Sequence, residues 1–382
     1  MLLKGICLFM IPTLALAIAV PSAPDLDVEA YILTDFHTNK IIAEKNSDQR
    51  IDPASMTKMM TVYVIDQELK HGRITEEDEV NISEKAWKME GSRMFIESGK
   101  KVKVGDLLRG IIIQSGNDAS VAMAEYVAGT EEAFAELMNQ YAKKLGMKDT
   151  NYMNSTGMPD DDHYTTAKDL NIIAQALIRD FPESYSLYAD KWFTFNGIKQ
   201  RNRNRLLWRD PSVDGIKTGH SSTAGYCLAA SAQKDDMRLI AIVAGADSDS
   251  RRNQSTQQLL RYGFRFYETH RLFPARQAIE NPRIWMGTQK KVGLGITDDL
   301  YITIPHGEYD KLDAKIHVSD NGMRAPVKEG TLQGTLTVKL GDTLIAERPV
   351  VSLEDIQKGS IWMQFQDYVS LGIHKILKPK DS

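Results

Sequence analysis

Cysteine is nearly absent: Cys7 and Cys227 are the only two in 382 residues. That excludes a small module stapled by disulfides. No sign of charge dominates, since 47 basic and 51 acidic residues leave a net charge of −4. The two signs are mixed along the chain without a long basic stretch, which sets a nucleic-acid face aside. The eight histidines show no paired i, i+4 spacing and no neighbouring cysteine cluster. Metal catalysis therefore has little support, no Gly-rich phosphate loop stands out, and no cofactor is expected. Long apolar runs are missing beyond the first twenty residues, which excludes a polytopic membrane protein. With 42% hydrophobic and 26% charged residues, the composition is that of an ordinary globular protein. Internal repeats and low-complexity stretches are also lacking.

What is present begins with length. Single cores stop growing near ~250–300 residues, so one large and one small domain are expected. At the N-terminus, Lys4 precedes an apolar run from Ile6 to Val20, broken only by Pro12 and Thr13. Ala17-Ile18-Ala19 then offers a small-x-small cleavage site. Residues 1–19 read as a secretory signal peptide. The alternative is an N-terminal membrane anchor, for which the run is short. Export points to a bacterial periplasm. Cys7 leaves with the signal, and Cys227 then reads as a packed strand residue and not a nucleophile.

Periodicity divides the rest. Residues 30–44 read as a hairpin, and a helix begins near Ser55 after Pro53. Apolar residues from Met56 to Leu69 cover nearly every face of that helix, so it is expected to be buried, with Gly72 as its stop. Residues 104–150 read as helical, including Glu131 to Leu145 ended by Gly146, and residues 165–180 read as another helix. Two apolar runs, 223–232 and 238–246, flank the polar turn Gln233-Lys234-Asp235-Asp236 as an antiparallel hairpin. Helical spacing returns over 251–269. This order makes an α+β domain over residues 24–270. Short alternating segments such as Leu300–Ile304, Lys315–Val318 and Thr335–Val338 make residues 271–356 a small β-rich domain. In the tail, 359–382, Trp362, Phe365, Val369, Ile373 and Ile376 follow helical spacing, with Lys375, Lys378 and Lys380 near the end. This amphipathic helix fits an interfacial membrane anchor; a helix packed on the small domain is the alternative.

Three motifs carry chemistry. Ser55-Met56-Thr57-Lys58 places a hydroxyl and an amine three residues apart on one helical face. A buried, neutral lysine there can take the serine proton. The pattern alone is weak: chance gives roughly one or two matches in such a chain. Ser98…Lys101 and Ser231…Lys234 also fit, but neither begins a long apolar helix. Ser115-Gly116-Asn117 supplies a proton-relaying hydroxyl and an amide to fix a carbonyl; Ser319-Asp320-Asn321-Gly322 is a decoy in the β domain that reads as a turn. Lys217-Thr218-Gly219 occurs once, just before the strand expected at 223–232. A cation and a hydroxyl beside an edge strand can hold an anionic peptide end, and glycine permits close backbone approach.

Ser-x-x-Lys, Ser-x-Asn and Lys-Thr-Gly in this order resemble the penicillin-binding proteins and serine β-lactamases. The runs Asp52–Thr61, Gln114–Ala119, Asn202-Arg203-Asn204, Val213–His220 and Tyr262–Phe266 are similar to the low-molecular-mass D-alanyl-D-alanine carboxypeptidases, the penicillin-binding protein 5/6 family. The likeness runs from about residue 28 to the tail. It implies a β-lactamase/DD-peptidase-like catalytic domain, an antiparallel sheet with helices, followed by the β-rich domain and the amphipathic helix. It implies a periplasmic enzyme attached to the inner membrane by that helix, acting on peptidoglycan stem peptides and inhibited by β-lactams.

Carried over by residue, the resemblance makes Ser55 the nucleophile and Lys58 the general base. Ser115 and Asn117 shape the site and relay protons. Lys217, Thr218, Gly219 and His220 line the peptide strand, with backbone N–H groups of Ser55 and His220 as the oxyanion hole. Arg203 and Arg252 hold the terminal carboxylate. In one departure, this chain has Thr156-Gly157 where a member of the family has histidine before glycine, so that loop is assigned no role.

A class A β-lactamase needs a Glu-x-x-Leu-Asn carboxylate; Leu170-Asn171 matches its end, but position 167 is alanine. A penicillin sensor without turnover and a structural wall-binding protein are the rivals from other classes, and the intact motif trio weighs against both.

Overall fold

The computed structural model describes residues 20–318 and 323–377, excluding the side chains of 371–377. Several expectations lie outside it: the signal peptide at 1–19, the decoy Ser319–Gly322, the side chains of Ile373, Lys375 and Ile376, and Lys378 and Lys380. The described chain forms two compact units. One comprises Ala23–Leu272 with Tyr301–Thr303; the other comprises Phe273–Leu300 and the described residues from Ile304 onward.

The first unit is built on an antiparallel sheet of β1 (Ala30–Asp35), β2 (Ile41–Lys45), β3 (Val213–Ser221), β4 (Gly225–Lys234) and β5 (Met237–Ala246). Its spatial order is β2-β1-β5-β4-β3, which leaves β3 at one edge. β5 is apolar on both faces because both are covered. Ile240, Ile242 and Ala244 join Cys227 and Ala229 in a large helical core. On the other face, Leu239 meets Gly263 of a long helix so closely that a Cβ on that glycine would lie 2.6 Å from Leu239 Cδ1.

Five principal helices complete the unit: α1 (Lys58–Lys70), α2 (Asn117–Ala128), α3 (Glu131–Leu145), α4 (Ala167–Asp180) and α5 (Asp249–Phe266). Side-chain oxygens of Thr130, Thr166 and Ser248 accept from backbone N–H groups to cap α3, α4 and α5. α1 is buried almost all round, as its apolar pattern predicts. A single 3-10 turn, Ala54–Thr57, leads into it, and Gly72 takes a left-handed φ of 67° just past its end.

Three expectations are corrected. Residues 104–150 are not continuous helix. Helix Val104–Arg109 passes into a π turn, Gly110–Gln114, and Ser115 adopts a left-handed φ of 65° before α2 restarts the chain in a new direction. The helix expected over 251–269 ends at Phe266, and Tyr267–Phe273 is a strand. Lys217-Thr218-Gly219 lies inside β3, not before a strand. A hairpin of Trp192–Phe195 and Ile198–Arg201, turned by Asn196-Gly197 at φ 47° and 74°, was not anticipated.

The second unit centres on a four-stranded antiparallel sheet of Leu294–Gly295, Thr343–Ser352, Leu332–Leu340 and Leu312–Val318, in that spatial order. Leu336, Val338 and Val350 form its buried face, and Gly341 turns the chain at φ 58°. Helix α6 (Ile361–Leu377) follows and exposes Ile361, Trp362, Phe365, Tyr368 and Val369. Among the described residues, no helix is long and apolar enough to cross a membrane.

Candidate active site

The site is assembled where the N-terminal turn of α1, the Ser115 bend and edge strand β3 meet. Ser55 sits on the 3-10 turn directly after Ala54, whose φ of 45° is a sparsely populated value for a residue with a Cβ. Such strain persists only where surrounding contacts over-determine it. Here the Asp52 carboxylate supplies them. Oδ1 accepts from Ala54 N at 2.7 Å, and Oδ2 accepts from Ser221 Oγ and Thr223 Oγ1 at 2.8 and 2.5 Å. One carboxylate thus ties the serine turn to the end of β3.

Lys58, one turn on, is completely buried. Its Nζ lies 3.2 Å from Ser55 Oγ, 2.7 Å from Asn117 Oδ1 and 2.5 Å from the Thr156 carbonyl. Burial, reinforced by the Arg203 charge and opposed by Asp118 and Glu131, pushes its pKa down to about 7. The neutral amine has two N–H donors and one lone pair. The two short contacts, to Asn117 and Thr156, use the donors; the lone pair is left facing the serine hydroxyl.

The bend that presents Ser115 is held from both sides. Gly116 N donates to Gly110 O at 3.0 Å. Asp118 accepts from Met94 N, Phe95 N and Ile96 N, fastening a neighbouring loop to α2. Asn117 Nδ2 donates to Glu90 O at 2.6 Å, which orients its oxygen toward Lys58. Ser115 Oγ is buried and has no hydrogen-bond partner among the described residues. An unpaired buried hydroxyl is costly, and at this position it is available to a bound molecule.

On β3, Lys217 and Thr218 are buried. Burial, together with the charges of Lys58, Arg203 and Arg252, holds the Lys217 amine well below its ordinary range. Gly219 is pressed against the serine turn: a Cβ there would lie 3.1 Å from Pro53 O and 3.3 Å from Ala54 Cβ. Gly157 is tighter still, with φ 81° and a virtual Cβ 1.8 Å from Ala54 O. His220 is exposed and stacks near Tyr226 at 4.0 Å between centroids. Arg252 is buried, donating to Gly219 O at 3.2 Å and pairing with Asp249 at 2.5 Å. Arg251 faces Asp27 and Asp247 instead. Arg203 is exposed, donates to Gln114 O at 3.2 Å, and shares a groove of about 380 Å³ with Arg201, Arg205 and Arg252.

All the site residues named from sequence are therefore in this region, together with groups the sequence did not single out. Thr156 contributes a carbonyl to Lys58. His163 Nδ1 accepts from Met153 N at 3.2 Å, so its Nε2–H donates to Thr57 Oγ1 at 2.8 Å, and burial lowers its pKa to about 4. Cys227 is buried, and burial raises its thiol to about 11, which leaves it inert as a nucleophile. No group of three metal-ligating side chains occurs among the described residues.

A serine held against a buried lysine, an amide and an edge strand that carries a second buried lysine is the arrangement of a serine acyl-transfer enzyme. The chain belongs to the D-alanyl-D-alanine carboxypeptidase family, whose model matches residues 18–248. A second model, the penicillin-binding protein 5 C-terminal domain, matches residues 267–358. The chain is 43% identical to the D-alanyl-D-alanine carboxypeptidase DacA of Escherichia coli K12 over 362 residues, covering 93% of this chain and 90% of that protein. It is 41% identical to DacC of the same organism, covering 95% and 93%. The solved structure of penicillin binding protein 5 from Haemophilus influenzae superposes with a TM-score of 0.81 at 40% identity, over 88% of this chain and 100% of that one. Penicillin-Binding Protein D2 from Listeria monocytogenes, in its ampicillin-bound form, matches 64% of this chain and 100% of that one, with a TM-score of 0.59 at 26% identity.

Proposed function

We propose that this protein is a serine DD-carboxypeptidase that removes the terminal D-alanine from peptidoglycan pentapeptide stems. The observation that carries the reading is the wholly buried Lys58 amine, placed between Ser55 Oγ, Asn117 Oδ1 and the Thr156 carbonyl, with its pKa lowered to about 7. The stem lies along the open edge of β3 as an added strand. Lys217, Thr218, Arg203 and Arg252 meet its terminal carboxylate, and backbone N–H groups of Ser55 and His220 stabilise the oxyanion.

Lys58 takes the Ser55 proton while Oγ attacks the carbonyl carbon of the penultimate D-alanine. The peptide C–N bond breaks, and the leaving amine receives a proton relayed from Lys58 by Ser115. Water then cleaves the Ser55 ester. The lysine, protonated between these steps, keeps two N–H donors on Asn117 Oδ1 and the Thr156 carbonyl and has the third proton free to pass on.

β-Lactams acylate the same serine. A deacylating carboxylate of the class A kind is missing at Ala167, so the adduct persists and the drugs inhibit. Residues 1–19 direct export, and α6 rests on the inner membrane surface through Ile361, Trp362, Phe365, Tyr368 and Val369, all exposed. Domains span 24–270 for catalysis, 271–356 for the β-rich part and 359–382 for the anchor.

D-alanine release from a peptide ending Lys-D-Ala-D-Ala, with and without penicillin, tests the enzyme. Penicillin-sensitive release is expected; a stable Ser55 adduct without any release would favour a sensor. Deleting 359–382 is expected to move the protein into the soluble fraction.

A further inference from the structure

The segment Lys199-Gln200-Arg201-Asn202-Arg203-Asn204-Arg205 alternates cations with amides. The structure turns this alternation into two faces. Gln200, Asn202 and Asn204 are buried, while Lys199, Arg201, Arg203 and Arg205 are exposed. Each amide bonds to backbone: Gln200 Nε2 to Arg93 O at 3.0 Å, Asn202 Nδ2 to Asp190 O at 2.9 Å, and Asn204 Nδ2 to Gly215 O at 2.9 Å. The cations are therefore mounted on a backbone fastened at every second residue. Two of them are also braced by aromatic rings. Lys199 Nζ lies 4.9 Å from the Trp192 ring and Arg201 Cζ 4.2 Å from the Trp208 ring, and the two tryptophans meet edge to face at 6.2 Å. Stacking on a ring fixes a cation without neutralising it, unlike an ion pair. Arg201 also lines the groove that holds Arg203 and Arg252.

We propose that Lys199 and Arg201, with the Trp192 and Trp208 rings beneath them, form a docking rail for the acidic stem peptides of polymeric peptidoglycan. Lys199 is not among the residues that line the groove taking the scissile terminus, whereas Arg201 lines it and joins the two. The inference rests on the peptidoglycan reading above. Charge complementarity names the occupant: the chain is net negative, yet it presents a fixed row of cations leading away from the carboxylate-binding groove. A polymer bearing many free carboxylates can engage both at once. The second engagement is intramolecular and so gains in effective concentration. A short soluble peptide occupies the groove alone.

The test uses the full-length protein and the single substitutions Lys199→Gln and Lys199→Glu, which leave Arg201 and the groove it lines intact. D-alanine release is measured from a soluble Lys-D-Ala-D-Ala peptide and from purified sacculi, together with co-sedimentation on sacculi and on phosphatidylglycerol vesicles. The expected result is unchanged turnover of the soluble peptide, with roughly three- to tenfold weaker activity and binding on sacculi. The wild-type preference for sacculi is also expected to fall with added salt, and the variants' to fall less. Equal losses on peptide and sacculi, or no loss on sacculi, overturn the proposal. A larger loss on vesicles than on sacculi also overturns it, because the rail then reads a membrane. Absence of release from the soluble peptide by the wild type would strike the carboxypeptidase reading alone, since sacculus sedimentation still decides the rail.

Discussion

The two compact units differ in what they take out of water. The first buries Lys58, Lys217 and Arg252 along with Asp66, Asn117 and Asp118; in the second, Ser352 is the one buried polar residue among those described, Thr303 belonging with the first. Burying an amine or a carboxyl is costly unless it is bonded or gives up its charge. The first unit pays that cost around one serine, with Lys58 near neutrality and Lys217 held below its ordinary range. The second is a conventional sheet with one apolar face. The contrast teaches where the chemistry lies without reference to any motif: it lies where charge is held against its preference for solvent.

That contrast can be broken or sharpened by measurement. The largest effect is expected from Ser55→Ala, which should lower D-alanine release by roughly 10⁴-fold or more and abolish the penicillin adduct seen by intact mass. Lys58→Arg should follow, slowing acylation by about 10²–10⁴-fold, since a guanidinium cannot become neutral. Wild-type acylation should rise with pH through about 7, because the neutral amine predominates above its lowered pKa; the arginine variant should lack that rise. Arg252→Gln should raise KM for the free-acid peptide by roughly 10–100-fold with a smaller change in kcat, the size of one lost bond to a charged group.

A smaller effect, on stability, is expected at Asp66. Burial raises this carboxyl to about 7, so the folded state binds its proton more tightly than the unfolded chain. Its contribution is present below pH ~4 and lost as pH rises through about 7. Asp66→Asn should therefore stabilise by about 1–3 kcal/mol at pH 8, with the gain shrinking toward pH 4 in thermal melts. Least of all, Leu344→Ser on the exposed face of the second unit should stay within about 0.5 kcal/mol and leave peptide turnover unchanged. A loss of kcat there would undo the comparison.

The order of the three motifs was legible because each is local. Residues three apart share a helical face, so Ser55 and Lys58 could be paired by spacing alone. The Ser115 bend was not, since Leu107, Leu108 and Ile111–Ile113 read as helix continuing past it. At the bend Gly116 N donates to Gly110 O and Asn117 N to Ser92 O, the second a tertiary bond that the sequence does not signal. Strand β3 escaped a hydropathy reading because Lys217, Thr218, Gly219 and His220 are not apolar; its pairing with β4 makes it a strand. The hairpin at 192–201 did carry a signal, Asn196-Gly197, a dipeptide suited to tight turns with positive φ. The Thr156 contact had none, because a backbone carbonyl looks the same under any side chain.

Gly157 and Gly219 bring backbone against the nucleophile turn, where a Cβ would collide with or crowd residues 53 to 57. The floor of the pocket therefore offers selection almost nothing to trim or enlarge. On the proposed reading, point mutations that discriminate a drug from the natural substrate have to arise around the rim, at residues such as Arg203 and His220, which that reading assigns to recognition of both. Antibiotic escape through this protein is thus tied to impairment of its own reaction.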